Sequence, residues 1–175
     1  MRLCSAEIIS MKGDLKRLID IPEKLNINKS LHERLKSANQ TLEWLCRKEA
    51  KPSHLIIFKK LRSSLSKSRY SEALISLDIL SNEFPFIFND KYDDSDKDIK
   101  EAGKIYKSYC ASCHDRENTS IPFPIYSLTD MAKKQSKSEF LARMLIGVRG
   151  SEVIVFRNPL TDKDIVNIRK YLISK

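Results

Sequence analysis

The chain has 175 residues, of which 41% are hydrophobic, and it carries a formal net charge of +9 at pH 7. This is the composition of a globular protein with one large or two small domains, and no run approaches the roughly 18 apolar residues of a membrane-spanning helix. Lys and Arg are divided evenly between an N-terminal half, residues 1–90, and a C-terminal half, residues 91–175, with 16 in each; we therefore expect an acidic protein partner and no binding to nucleic acid.

The first residues, MRLCSAEIIS, contain one Arg and no apolar core segment, so they are not a signal peptide. Two interpretations follow from the start of the sequence alone. The protein is cytosolic, or the sequence is the mature form of an exported protein.

The N-terminal half is predicted to form four helices, because apolar residues recur there at steps of three and four. The four stripes begin at Ile8, Leu31, Leu55 and Tyr70. Ser30 directly precedes the second stripe and is predicted to cap that helix. Short connections favour antiparallel neighbours, so we expect a small bundle or stacked helical hairpins.

The C-terminal half follows a polar stretch around residues 89–98, which marks a plausible domain boundary. Three helices are predicted in it. The first is capped near Ser95, the second runs from about Ser138 to Val148 and is closed by Gly150, and the last is capped by Thr161. Residues 115–136 are predicted to be mostly loop. The whole chain is therefore expected to be all-α, with loops in this half that are long for its size unless a non-protein group fills its centre.

The motif CASCH, residues 110–114, carries the most specific chemistry in the sequence. Three chemistries compete for Cys110 and Cys113. A structural zinc site needs four ligands, but no Cys or His follows His114. A redox-active dithiol sits at a strand-to-helix turn, and no strand pattern surrounds this one. Covalent haem uses both thiols and the adjacent imidazole at this spacing, so we expect one haem c, with His114 as an iron ligand.

Residues 99–175 resemble a class I c-type cytochrome. The similarity rests on a helix that ends in CASCH, on LIGVRG, and on the closing stretch PLTDKDIVNIRKYLISK. The resemblance implies that Gly103 and Tyr106 of the first helix cross the last helix at a small-residue contact, where Ile168, Tyr171 and Leu172 match the family. It also implies that a loop proline carbonyl, Pro122 or Pro124, accepts the Nδ1 proton of the haem-binding histidine.

One departure from the family concerns the second axial ligand. Electron-transfer members supply a methionine in a segment resembling GVxGxxMPxF, whereas this chain has GVRGSEVIVF, which places Val153 at the methionine position. Valine cannot coordinate iron. One explanation is an open or water-bound iron in an apolar pocket built from Val153, Val155 and Phe156, with Arg149 as a partner for a haem propionate.

A second explanation is that a residue other than Val153 coordinates the iron. The candidates are Met131, Met144, a lysine, and His32 or His54 from the N-terminal half.

The resemblance implies a monohaem cytochrome that transfers one electron to or from a redox protein, and we expect that partner to be acidic. Haem c is attached outside the cytoplasm in most bacteria, so we expect a periplasmic protein. The missing methionine favours, as alternatives, a binder or sensor of NO, CO or peroxide, or the haem subunit of a larger oxidoreductase. An independent enzyme is the less favoured interpretation. In an oxidising compartment Cys4 and Cys46 either form a disulfide or remain two unpaired thiols.

Overall fold

The structure is a computed structural model that describes residues 2–20, 25–92, 95–116, 125–149, 155–156 and 159–175. Its elements, in chain order, are α1 (Arg2–Asp20), α2 (Leu25–Cys46), α3 (Pro52–Ser66), α4 (Tyr70–Glu83), α5 (Asp96–Tyr109), α6 (Ala111–His114), α7 (Leu128–Lys134), α8 (Lys137–Ile146), β1 (Val148–Arg149), β2 (Val155–Phe156) and α9 (Asp162–Ser174). The described secondary structure is almost entirely helical, which confirms the predicted all-α class.

Helices α1 to α4 confirm the four helices predicted for the N-terminal half and share one hydrophobic cluster. Leu15 of α1, Leu42 of α2, Leu61 of α3 and Leu77 of α4 are all buried in it. The prediction of a cap at Ser30 was wrong. Helix α2 begins at Leu25 and passes through Ser30, because the intervening residues contain no proline or glycine that would end a helix.

Cys4 of α1 and Cys46 of α2 form a disulfide, with their Cα atoms 4.9 Å apart. Both residues are fully buried in the cluster of the N-terminal half. The sequence left open a disulfide or two unpaired thiols, and the structure has the disulfide. The bond fixes the start of α1 against the end of α2.

The caps predicted for the C-terminal half are confirmed. The Ser95 side chain accepts a hydrogen bond from the Asp98 amide, and Thr161 forms a capping box with Asp164 at the start of α9. Helix α7, of 7 residues, lies within the segment predicted to be mostly loop. One prediction was wrong: α8 ends at Ile146, because Gly147 already adopts a positive φ of 78°.

Helices α5 and α9 cross at Gly103, where the family resemblance implied a small-residue contact. A Cβ atom at this position would lie 2.8 Å from Cε2 of Tyr171, so only glycine lets the two helices approach this closely. The rings of Tyr106 and Tyr171 are 5.9 Å apart. Ile168 and Leu172 are fully buried in the same cluster as Tyr106, so the predicted contact residues do pack together.

The two halves of the chain meet where α1 packs along α8. Their contact contains a buried ion cluster of two carboxylates and three guanidinium groups, formed by Asp14, Arg17, Arg34, Glu139 and Arg143. Arg143 donates to Asp14 at 2.8 Å and to Glu139 at 2.7 Å, and it also reaches a backbone carbonyl of α1. The buried ion cluster therefore ties α8 to both α1 and α2.

Gly13 permits this approach, since a Cβ atom there would overlap the Glu139 carboxylate.

Each half also has a hydrophobic cluster of its own. The boundary near residue 90 remains a prediction. No helix in the described part of the chain is long and apolar enough to span a membrane.

Candidate functional site

The CASCH motif forms one tight helical turn at the end of α5. The Cys110 amide donates to the Tyr106 carbonyl at 2.8 Å and so closes α5. The Cys110 carbonyl then accepts from the Cys113 amide at 3.3 Å and from the His114 amide at 2.9 Å. Residues three apart in a helical turn lie on one face. The backbone therefore presents the two thiols side by side, with the imidazole next to them.

The two thiols have different surroundings. Cys110 is half-buried against the cluster shared by α5 and α9, whereas Cys113 is exposed. Burial raises the pKa of the Cys110 thiol, with a smaller contribution from Cys113. The two thiols are not bonded to each other.

His114 is held in one orientation by a backbone carbonyl. Its Nδ1 lies 2.8 Å from the carbonyl oxygen of Tyr126. A carbonyl only accepts hydrogen bonds, so Nδ1 carries the proton of the neutral ring and Nε2 keeps its lone pair. This is the arrangement that metal-binding histidines commonly have.

The acceptor at His114 differs from the residue that the sequence suggested. Pro122 and Pro124 lie outside the described residues, and the carbonyl of Tyr126 fills the role expected of a proline. A backbone carbonyl leaves no signature in the sequence, since every residue has one. Only the path of the chain between α6 and α7 identifies it.

Contacts from Tyr106 and Lys175 stabilise the C-terminal end of the CASCH turn. The hydroxyl of the fully buried Tyr106 donates to Asp115 at 2.5 Å, directly after His114. Burial raises the pKa of Tyr106, and the hydrogen bond to Asp115 raises it further. The Lys175 ammonium lies 4.7 Å from the centre of the Tyr106 ring and 3.7 Å from Asp115. Lys175 therefore packs against the residues at the end of this turn.

The predicted distal residues lie around the short hairpin of β1 and β2. The ladder pairs Val148 with Phe156 and Arg149 with Val155. Only the backbone of Arg149 and Phe156 is described, and Val153 falls outside the described residues. The roles predicted for these three side chains therefore stay predictions.

The alternative iron ligands have places in the fold. Met131 and Met144 are half-buried and pack on the cluster that contains Tyr106. His54 is buried in the N-terminal half, where its Nδ1 accepts from the Lys51 amide at 3.0 Å. His32 lies 3.2 Å from the Tyr70 hydroxyl. Both histidines thus have partners among α2, α3 and α4.

The zinc alternative loses two of its possible ligands, because Cys4 and Cys46 are joined in the disulfide. Within the described ranges, no group of three or more His, Cys, Asp or Glu residues is placed to hold a metal ion. Comparison of the chain with protein-family models, with curated proteins and with solved structures gives no match.

Proposed function

We propose that the protein is a monohaem c-type cytochrome that transfers single electrons to or from a protein partner outside the cytoplasm. The observation that carries the proposal is the orientation of His114. Its Nδ1 is committed to the Tyr126 carbonyl, which leaves the Nε2 lone pair available beside two thiols one turn apart. Two thiols and a preoriented imidazole are the donor set that a covalently bound haem requires.

The state of the four cysteines supports the same proposal. Cys4 and Cys46 form a buried disulfide, which is typical of proteins in an oxidising compartment. In such a compartment, free thiols at this spacing are prone to oxidation. Thioether bonds to a porphyrin would keep both sulfurs out of disulfide exchange. The disulfide also favours an exported protein, as expected for haem c.

The residues of the site have separable tasks. Cys110 and Cys113 would hold the haem, each by addition of its S–H across one vinyl group without an oxidant. The haem would supply an iron that changes oxidation state by one electron. The Tyr126 carbonyl holds His114 in its neutral tautomer and strengthens its donor nitrogen. The exposed Cys113 and Tyr109 lie where a partner protein can approach.

A second candidate function is a haem-based binder of NO, CO or peroxide. The observation that favours it is Val153 at the position of the family's methionine. The partners of His32 and His54 within the N-terminal half also make them poorly placed as substitutes. A role as haem subunit of a larger oxidoreductase rests only on the unrecognised N-terminal half.

The test compares three forms of the protein expressed with the cytochrome maturation machinery. We expect the wild type to retain haem after denaturation and acidic acetone extraction. Cys113→Ala removes one attachment and is expected to lose most of the covalent haem. Ser112→Ala changes an exposed neighbour in the same turn and should keep it. A colourless but folded wild type, or equal haem retention in all three forms, would contradict the proposal.

The spectrum of the reduced protein with CO then separates the two functions. A low-spin spectrum that CO does not change supports the electron carrier, because both axial positions are then filled. Rapid CO binding supports the gas binder.

A further inference from the structure

The positive charge of the chain is concentrated in one segment of the N-terminal half. Residues 47–69, here called the basic segment, contain eight Lys and Arg residues and one acidic residue, Glu49. The segment therefore accounts for a charge of +7 out of the net +9 of the chain. Because the two halves contain equal numbers of Lys and Arg, comparing the halves does not reveal this concentration. It runs from the end of α2 through α3 to the start of α4.

Large apolar side chains are exposed on the same part of the surface. Ile56 is 71% exposed and Leu55 is 42% exposed, both in the first turns of α3. Trp44, the single tryptophan of the chain, is 59% exposed near the end of α2. An isolated exposed residue needs no explanation. Two on the first turns of α3 and a tryptophan at the end of α2 indicate a surface that meets something apolar.

The helical spacing of α3 interleaves these side chains with lysines. Lys59 lies one turn after Leu55, and Lys60 lies one turn after Ile56. The opposite face of α3 is buried in the bundle. Lys59 and Lys60 are exposed and make no ion pair with another described residue. The outward face of α3 thus carries an apolar turn followed by a cationic turn.

The end of α2 continues this surface. Arg47 stacks on the Trp44 ring at 5.0 Å. Arg47, Lys51 and Leu55 also line one cleft between α2 and α3, so the side chains of the two helices are contiguous. Glu43 lines the same cleft, where it pairs with Arg62 at 3.2 Å. The surface formed by Trp44, Arg47, Leu55, Ile56, Lys59 and Lys60 is here called the α3 face.

We propose that the α3 face docks the protein on the surface of an anionic phospholipid membrane. Lysine and arginine side chains bind anionic headgroups, and their aliphatic stems lie along the apolar boundary. Tryptophan and aliphatic side chains beside them insert at the level of the headgroups and the first methylenes. The α3 face carries both positive charge and exposed apolar side chains, and an anionic membrane offers a contact for each.

Two other anionic partners fit the α3 face less well. Nucleic acid is held by cations and by aromatic stacking, which leaves the exposed Ile56 and Leu55 without a contact. The centre of a protein–protein interface contains few charged residues, whereas here two lysines directly adjoin the exposed apolar residues. The membrane alone uses every member of the face. The inference is independent of the haem proposal, because none of its residues belongs to the CASCH turn.

The experiment measures co-sedimentation of the full-length protein with vesicles of phosphatidylglycerol and phosphatidylcholine. We expect binding to vesicles rich in phosphatidylglycerol, weak binding to pure phosphatidylcholine, and loss of binding at high salt. Emission of Trp44 should shift to shorter wavelength in the bound state. Lys59→Glu combined with Lys60→Glu should weaken binding by about 30-fold or more, since each basic residue near an anionic surface contributes about 5-fold.

A matched control separates local contact from net charge. Lys97→Glu combined with Lys100→Glu makes the same change of charge on exposed positions of α5 and should leave most of the binding intact. Ile56→Ser should weaken binding and reduce the shift of Trp44 emission, whereas Ile75→Ser, at an exposed position of α4, should not.

Three results would overturn the inference. They are no binding to phosphatidylglycerol at low salt, equal losses in the two charge variants, and binding of duplex DNA or polyglutamate by a protein that leaves vesicles free.

Discussion

The buried ion cluster predicts that Asp14→Asn strongly destabilises the protein. The Asp14 side chain is 4% exposed and accepts hydrogen bonds from all three guanidinium groups. Both of its oxygens bond Arg34, at 2.7 and 2.8 Å, and one also bonds Arg143 at 2.8 Å and Arg17 at 3.1 Å. The asparagine has the same shape without the charge. It leaves three cations with the single carboxylate of Glu139.

The expected loss follows from the burial of the group. Removing one partner of a buried ion pair costs about 3–5 kcal/mol, because the remaining charges stay desolvated and lose their counter-charge. For a chain of this length, that corresponds to a fall in Tm of about 6–20 °C. An exposed pair contributes about 0–1 kcal/mol by comparison. The two cases are thus separable by experiment.

The assay is urea denaturation followed by far-ultraviolet circular dichroism, with the free energy of unfolding extrapolated to water. Glu101→Gln is the matched control, since Glu101 pairs with Lys104 at 3.0 Å on the exposed side of α5. We expect it to cost less than about 1 kcal/mol. The loss at Asp14 should also change little with salt, because buried pairs are weakly screened.

A double-mutant cycle of Asp14→Asn with Arg143→Gln tests the direct contact. The two residues bond each other, so their effects should be strongly non-additive, by about 1 kcal/mol or more. If Asp14→Asn costs no more than Glu101→Gln, the ion cluster does not hold α1 on α8. Simple additivity of the two changes would refute the direct contact alone.

Three further predictions concern the disulfide, the α5–α9 crossing and Tyr106. Replacing Cys4 and Cys46 by Ser opens a loop with a sequence separation of 42 residues and should lower the free energy of unfolding by about 4 kcal/mol; an unchanged urea midpoint would contradict this. Gly103→Val forces a side chain against Tyr171 and should cost about 1–3 kcal/mol, with partial recovery in the double variant that carries Tyr171→Leu. The pKa of Tyr106 is raised above its ordinary 10.0, so the unfolded state releases this proton first. Stability should therefore hold below pH 10 and fall above it, by at most about 1.4 kcal/mol per pH unit, and this fall should be smaller in Tyr106→Phe.

Local features of the sequence predicted the fold well where one residue type has one physical role. Ser95 and Thr161 cap helices because their side chains satisfy free amides. Gly103 marks a close approach because no other residue has room there. The end of α8 was misplaced because two glycines, Gly147 and Gly150, were available and only the backbone path selects between them.

Long-range contacts escaped prediction. The apolar stripe of α1 shows which face enters the N-terminal bundle, but its polar face is also buried. No role was predicted for Asp14 from the sequence, because its partner Arg143 lies 129 positions away. The same limit applies at the site, where the Tyr126 carbonyl carries no side-chain signal. The thiols and His114 were identifiable because their spacing itself is the chemical requirement.

The contacts of α8 join the N-terminal half to the half that contains the CASCH turn. His114 is fixed by α5, by its contact with the Tyr126 carbonyl, and by the packing of α9 on α5. The segment that contains Val153 follows α8, and α8 is held by the buried ion cluster of α1 and α2. Phe140 of α8 lies in the same hydrophobic cluster as Tyr106 of α5, so α8 connects the buried ion cluster to the helices beside the CASCH turn. Because α8 leads through Gly147 directly into β1, the same contacts fix the position from which the hairpin begins.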